Sequence, residues 1–410
     1  MLTFRNLRKA IKAWAKKVRC RVLPIRKRRG VLFIGYAEGD LGLGQSFRCN
    51  VEAAARAGLP FAIYPFRIGV ETRLIEPFMP ERYETSQAFI INLIEVAPDQ
   101  TPVVFHNVNC KLTDKSYNIL RTFWELPQAP PEWRDMLHGV HEIWAPNDFV
   151  AKALAGVFSG KITTIPPAVE VGDGPFDDRD SFGLEPDRFY FLFSFDYFSS
   201  PYRKNPFAAL RAFQQAFADR DQRVGLVVKS IGAEELFPEI KSFFHDAAKK
   251  DPRIVVIDCS LKRREMLSLI RSCDAYISLH RSEGFGFGMA EAMNFGRIVI
   301  GTDFSGNRDF LTPETGFPVS YTLRAVEPHE YNWSEGQVWA EPNEEEAAAI
   351  MRQVVEQSDM AADRARTGQR FIREHFSSET IGKSIRCRIH EIERFLRCGS
   401  EAKIDPGHSS

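Results

Sequence analysis

Residues 278–311 read SLHRSEGFGFGMAEAMNFGRIVIGTDFSGNRDFL. The stretch enters from an apolar run, Ala275-Tyr276-Ile277-Ser278-Leu279, that reads as a buried strand. A loop with Gly284, Gly286 and Gly288 follows. Met289-Ala290-Glu291-Ala292-Met293 has helix-forming composition. Arg297-Ile298-Val299-Ile300-Gly301 reads as another short buried strand. Strand, glycine loop, helix and strand make the repeating unit of a parallel α/β sheet. Two carboxylates, Glu283 and Glu291, bracket the loop. Glycines let a backbone approach a ligand closely, and a helix start offers N–H groups to a phosphate. Glu291 is expected in the first helical turn, where its carboxylate can accept hydrogen bonds from sugar hydroxyls.

Working outward, the length of 410 residues suggests two domains of about 150–200 residues each. Seven scattered cysteines, with no CxxC pair, argue against a disulfide framework or a zinc site and for a reducing cytosol. No apolar run approaches the roughly 20 residues of a membrane-spanning helix, and no secretory leader is evident.

A net charge of zero conceals an asymmetry. Residues 1–29 carry twelve Lys or Arg and no acid, so the remainder is about −12 by subtraction. Phe4, Leu7, Ile11, Trp14 and Val18 fall at helical spacing on one face of this arm. A basic amphipathic helix with a Trp is the pattern of an anchor lying on an anionic membrane surface. A solvated basic extension, packed on the protein or disordered, has the same composition. Nucleic acid is not indicated, because the basic charge is confined to the arm.

The first domain is expected over 30–167. Val31–Tyr36 reads as a strand leading into Gly39, Gly42 and Gly44, then a helix over 45–57 closed by Gly58. This spacing does not fit GxGxxG, so a dehydrogenase-type dinucleotide site is not supported. The loop is either a phosphate or sugar cradle or a tight strand-to-helix turn. Residues 71–100 read as one or two helices. Residues 102–109 read as a strand whose carboxyl end presents His106 and Asn107, the end at which parallel sheets bind ligands.

Residues 168–188, polar and rich in Gly and Asp, read as the linker. Asp178-Arg179-Asp180 and Asp219-Arg220-Asp221 are formally DxD tripeptides, but no apolar strand precedes either, and no metal site is assigned. The second domain, 189–375, opens on the strand 189–196. Arg203 and Lys204 stand before a helix starting at Pro206, where cations and helix N–H groups can hold a diphosphate. Lys229 is expected at the carboxyl end of a strand over 223–228. Strands and helices then alternate up to 278–311.

Glu283 and Glu291 inside SEGFGFGMAEAM, followed by GRIVIGTDFSGNRDF, resemble the donor-site signature of retaining GT-B glycosyltransferases of family 4. FSFDYFSSPYRKNPFAALRAFQQAF resembles that family's phosphate-binding loop and helix. YAEGDLGLGQSFR, the Trp-Glu-Leu-Pro stretch and EIWAPNDF resemble the N-terminal domains of one bacterial branch that makes cell-surface polysaccharide. The likeness spans about residues 30–390.

It implies an α/β fold of GT-B type: two Rossmann-like domains facing a cleft, with a C-terminal helix over 376–397 crossing back to the N-terminal domain and a disordered tail from 398. It implies that Lys204 neutralises the departing diphosphate and Glu291 binds the ribose. Glu283 contacts the transferred sugar, and the backbone of Gly284, Phe285, Gly286, Phe287 and Gly288 lies along sugar and phosphate. His106 matches the family's histidine near the donor sugar, and Gly42 and Gly44 line the cleft. The family's arginine five or six residues before the lysine is missing here, where Phe198 and Ser199 stand, so Arg203 or Lys229 is expected to replace it. The implied reaction moves a hexosyl group from a GDP- or UDP-sugar, with a lean to GDP-mannose, onto a glycan or lipid-linked acceptor. It needs no cofactor and no metal, and proceeds on the inner face of the membrane. The alternatives are a non-catalytic GT-B scaffold and another sugar-nucleotide enzyme of that fold.

Overall fold

The computed structural model describes residues 27–219, 221–232 and 234–401. The basic arm before Lys27 and the tail after Glu401 lie outside them. The chain forms two compact units. The first comprises the described residues to Phe123, Ala129–Ala168 and those from Phe376 onward; the second comprises Trp124–Gln128 and Val169–His375.

The first unit is built on a six-stranded parallel sheet in the order β2-β1-β3-β4-β5-β6. Its strands are β1 (Arg28–Gly35), β2 (Phe61–Pro65), β3 (Phe89–Glu95), β4 (Tyr117–Arg121), β5 (Glu142–Ala145) and β6 (Lys161–Thr164). Strand order reverses between β1 and β3, the crevice at which open α/β sheets take ligands. The Gly42–Arg56 helix follows β1. The final helix, Ser378–Glu401, packs on this unit as expected. Ile381, Ile385, Ile389 and Ile392 are buried in its core with Phe47, Cys49 and Ala53. Arg388 donates to both oxygens of buried Glu142 at 2.8 and 2.6 Å. Gly382 allows the close approach, because a Cβ there would stand 2.3 Å from the Ala53 carbonyl oxygen.

Two sequence expectations fail in this unit. Residues 71–100 hold β3 rather than one or two helices, with only short 3₁₀ turns at Pro80–Arg82 and Pro98–Gln100. Residues 102–109 are not a strand: Thr101–Asn107 is helical, with Pro102 in its first turn. FIINLIE and PVVFHNV are both short apolar runs, which periodicity alone cannot assign. Pro102 at a helix start is the cue that separates them.

The second unit carries another six-stranded parallel sheet, ordered β12-β11-β10-β7-β8-β9. Its strands are β7 (Phe189–Asp196), β8 (Val224–Ile231), β9 (Ile254–Asp258), β10 (Ala275–Ser278), β11 (Ile298–Thr302) and β12 (Phe317–Val319). Order reverses between β7 and β10. The loop after β7 leads to Arg203-Lys204, and the loop after β10 carries Glu283, so the switch point brings together segments about 80 residues apart. An antiparallel hairpin, β13 (Tyr321–Ala325) and β14 (Val338–Pro342), is added beyond the sheet. Two Rossmann-like parallel-sheet units and the returning terminal helix are the GT-B fold.

Candidate active site

The glycine loop of 278–311 is tightly built. Gly286 has φ +97° and caps the Phe287–Asn294 helix, a conformation glycine adopts without steric cost. A Cβ on Gly288 would stand 2.3 Å from the Tyr276 hydroxyl oxygen. That hydroxyl is itself held 2.6 Å from Ser194 Oγ. The two central strands of the sheet therefore seat the helix start against their own side chains. Because the helix begins at Phe287, Glu291 lies in its second turn, one turn later than the composition suggests.

Glu283 is the centre of a buried ion cluster. Its backbone N–H donates to Ser305 Oγ at 2.7 Å and its carbonyl accepts from Gly306 N–H at 2.9 Å. Its carboxylate takes Lys204 Nζ at 2.5 Å on Oε1 and Arg203 Nη1 at 3.2 Å on Oε2. Burial alone would raise this carboxyl, but Lys204 and Arg203 outweigh it and hold it at about 2. Burial lowers the Lys204 ammonium below the ordinary lysine range, although Glu283 pulls the other way. His280, fully buried and pushed down to about 4 by burial, is neutral beside these charges.

Lys204 keeps a fifth of its side chain exposed, and an ammonium has three donors. It can hold Glu283 and still face an anion. Asn205, in the left-handed region at φ 51°, ends the Pro201–Lys204 turn and precedes the Pro206–Ala216 helix. The cation thus stands before a helix start, as expected.

Both candidates to replace the missing arginine are buried. Arg203 points inward, and its side chain is only 4% exposed. It donates to the carbonyls of Ser282 at 2.8 Å and Ser199 at 3.0 Å as well as to Glu283. It supports Glu283 rather than presenting a free fork to a diphosphate. Lys229 lies within β8 rather than after its end, and is buried with Nζ donating to the Ser230 carbonyl at 2.6 Å. The residue missed in the sequence is Arg263, whose Nη2 meets Glu291 Oε1 at 2.6 Å. Its one sequence signal is its place after the carboxyl end of β9, on the same edge as the glycine loop.

In the first unit, Gly42 and Gly44 belong to the first turn of a helix rather than to the loop before it. Gly44 is explained by packing, since a Cβ there would meet the Gly39 carbonyl oxygen at 2.2 Å. Gly42 is exposed, with open space about it. His106 and Asn107 end the helix after β3 and are exposed, and Asn107 Nδ2 donates to the Val103 carbonyl at 2.8 Å. The strand end that motivated both residues is absent. The carboxyl ends of β3 and β4 instead carry buried Glu95 and Arg121, 3.6 Å apart, with Asn50 donating to Glu95 at 3.0 Å. Among the described residues no group of three or more His, Cys, Asp or Glu side chains is placed to hold a metal. No described helix is long and apolar enough to cross a membrane.

Comparison with known proteins bears on the fold and on the second unit. Residues 177–371, just under half of the chain, match the family model "Glycosyl transferases group 1". No curated protein matches the chain in sequence. Among solved structures, Anabaena Alr3699/HepE in complex with UDP and glucose is similar with a TM-score of 0.62 at 14% identity, covering 88% of this chain and 99% of that one. A glycosyltransferase from Rickettsia africae ESF-5 gives 0.61 at 14% identity, covering 90% and 99%. The pneumococcal O-GlcNAc transferase GtfA in complex with UDP and GlcNAc gives 0.51 at 16%, covering 74% and 56%. The likeness to these structures is one of fold, and the group 1 match over 177–371 supplies the activity: the chain is a glycosyltransferase with the GT-B fold.

Proposed function

We propose that the chain transfers a hexosyl group from a nucleoside diphosphate sugar to a glycan or lipid-linked acceptor, with retention of configuration, in surface or exopolysaccharide synthesis. The observation that carries the donor part is the switch-point cluster, in which Lys204 meets Glu283 at the start of the glycine loop that leads into the helix carrying Glu291. Lys204 and the helix start at Phe287 face the diphosphate. Glu291 takes the ribose once its partner Arg263 yields, and Glu283 takes the sugar. As the bond from the anomeric carbon to the phosphate oxygen breaks, its electron pair stays on the diphosphate, and Lys204 offsets that charge. The acceptor oxygen bonds to the same face of the carbon, and its proton passes to the leaving phosphate. The charge on the diphosphate is met by these groups without a metal.

Structures related in fold hold UDP, which favours a UDP-hexose over the GDP-mannose suggested by resemblance. The basic arm, whose residues before Lys27 lie outside the described ones, supplies the attachment to anionic lipid on the inner face. Hydrolysis of a panel of UDP- and GDP-hexoses by the full chain tests the donor site. One or more donors should be turned over, and Glu291→Ala should abolish nucleotide binding. A panel left intact, or normal turnover in Glu291→Ala, defeats the reading and favours a scaffold. Release from anionic vesicles on deleting residues 1–26, which leaves β1 whole, tests the membrane part; unchanged binding refutes it.

A further inference from the structure

Trp124–Gln128 is part of the second unit although both of its flanks belong to the first. It lies outside the stretch matched by the family model. Glu125 at its centre is built into the donor loop. Its carbonyl accepts from Ser282 Oγ, the residue before Glu283. Its carboxylate lies 3.7 Å from the Arg203 guanidinium and accepts from the Tyr331 hydroxyl at 2.7 Å. Gln337 donates to the Gln128 carbonyl at 2.8 Å, so the β13–β14 hairpin region clamps the segment at both ends.

Charges therefore alternate along one line: Glu125, Arg203, Glu283, Lys204. Arg203 is shared between two carboxylates and touches Glu283 through a single nitrogen, and its Nε has no hydrogen-bond partner. A guanidinium prefers a two-point grip on a carboxylate. With Glu125 gone, Glu283 is the only carboxylate left to Arg203 in this line. The buried cation is then drawn onto both Glu283 oxygens and competes with Lys204 for Oε1.

We propose that Glu125 is a positioning residue for sugar transfer: by drawing on the other end of the Arg203 guanidinium, it limits Arg203 to one contact with Glu283, keeps Oε1 for Lys204 and sets both groups against the donor. The inference rests on the reading of Lys204 and Glu283 as donor-site groups. It assigns a task to the Trp-Glu-Leu-Pro stretch, which packing alone does not require to carry a charge.

The test uses the full chain and whichever UDP- or GDP-hexose the wild type hydrolyses. Glu125→Gln should lower kcat about tenfold to a hundredfold, the scale for misplacing a reacting group, while KM stays within about threefold. Glu125→Asp should restore part of kcat. Tyr331→Phe, which removes only the hydroxyl that holds Glu125, should fall between wild type and Glu125→Gln, and it decides the matter if Glu125→Gln does not fold. Wild-type kcat in Glu125→Gln or in Tyr331→Phe overturns the proposal, as does equal loss in Glu125→Asp and Glu125→Gln. Lys204→Ala separates the two readings. If that variant is inactive while Glu125→Gln is normal, only the positioning role fails. If Lys204→Ala is fully active, or the wild type hydrolyses no donor, the site assignment itself falls.

Discussion

Replacing Glu283 by Gln removes the carboxylate between Arg203 and Lys204 and changes almost nothing else in shape. In the native cluster two cations face two carboxylates, Glu283 and Glu125. The variant leaves two cations and one carboxylate, with Arg203 almost wholly enclosed. Breaking a buried pair by removing one partner costs about 3–5 kcal/mol, because the other charge stays buried and uncompensated. In a unit of this size that lowers Tm by about 2–4 °C per kcal/mol, or about 6–20 °C. The sequence expectation assigns Glu283 to substrate alone and predicts no such loss. The assay is thermal unfolding of wild type, Glu283→Gln, Lys204→Met and the double variant. Lys204→Met should offset part of the loss, because the double variant returns the cluster to one cation and one carboxylate. A coupling of about 0.5–3 kcal/mol is expected for contacting residues. A Glu283→Gln protein as stable as wild type, or a cycle in which the two changes simply add, refutes the charge accounting.

Acid titration should isolate the same group. Folding depresses the Glu283 carboxyl from the ordinary 4.5 to about 2, so its contribution is complete above pH 4.5 and is lost as pH falls towards 2. The stability difference between wild type and Glu283→Gln should shrink by about 3 kcal/mol across that window; a constant difference contradicts the assignment. Gly288→Ala should cost about 1–3 kcal/mol by overpacking against Tyr276 and weaken nucleotide binding with it. Calorimetry with UDP and a melting curve check both, and a variant with wild-type values shows that the loop has room it should not have.

Much of the second unit was legible because its strands are apolar and separated by helical patterns. FYFLFSFD and AYISL were read as strands, and the glycines of 284–288 mark the turn between strand and helix. The first unit was less legible where the period of an apolar run did not separate strand from helix. PVVFHNV and FIINLIE exchanged roles, and with that exchange His106 and Asn107 lost the strand end on which they were placed. Gly44 was ambiguous between cradle and turn, and the approach of the Gly39 carbonyl supplies a packing reason for it.

The sequence by itself marked candidate residues for a donor: the two glutamates, the glycines between them and a lysine before a helix. Local spacing suffices for that, because strand and helix periods place neighbouring residues. Only the tertiary structure decided what each charge faces. Arg203 and Lys204 are adjacent in one short turn, and successive helical residues point about 100° apart, so one turns inward while the other keeps an outward face. Their carboxylate lies about 80 residues away, and Arg263 reaches Glu291 across 28. Glu125 closes the cluster from a segment whose flanks belong to the other unit. No local period encodes such contacts; they arise where the fold brings the loops after parallel strands, and the Trp124–Gln128 segment, to one edge of the sheet.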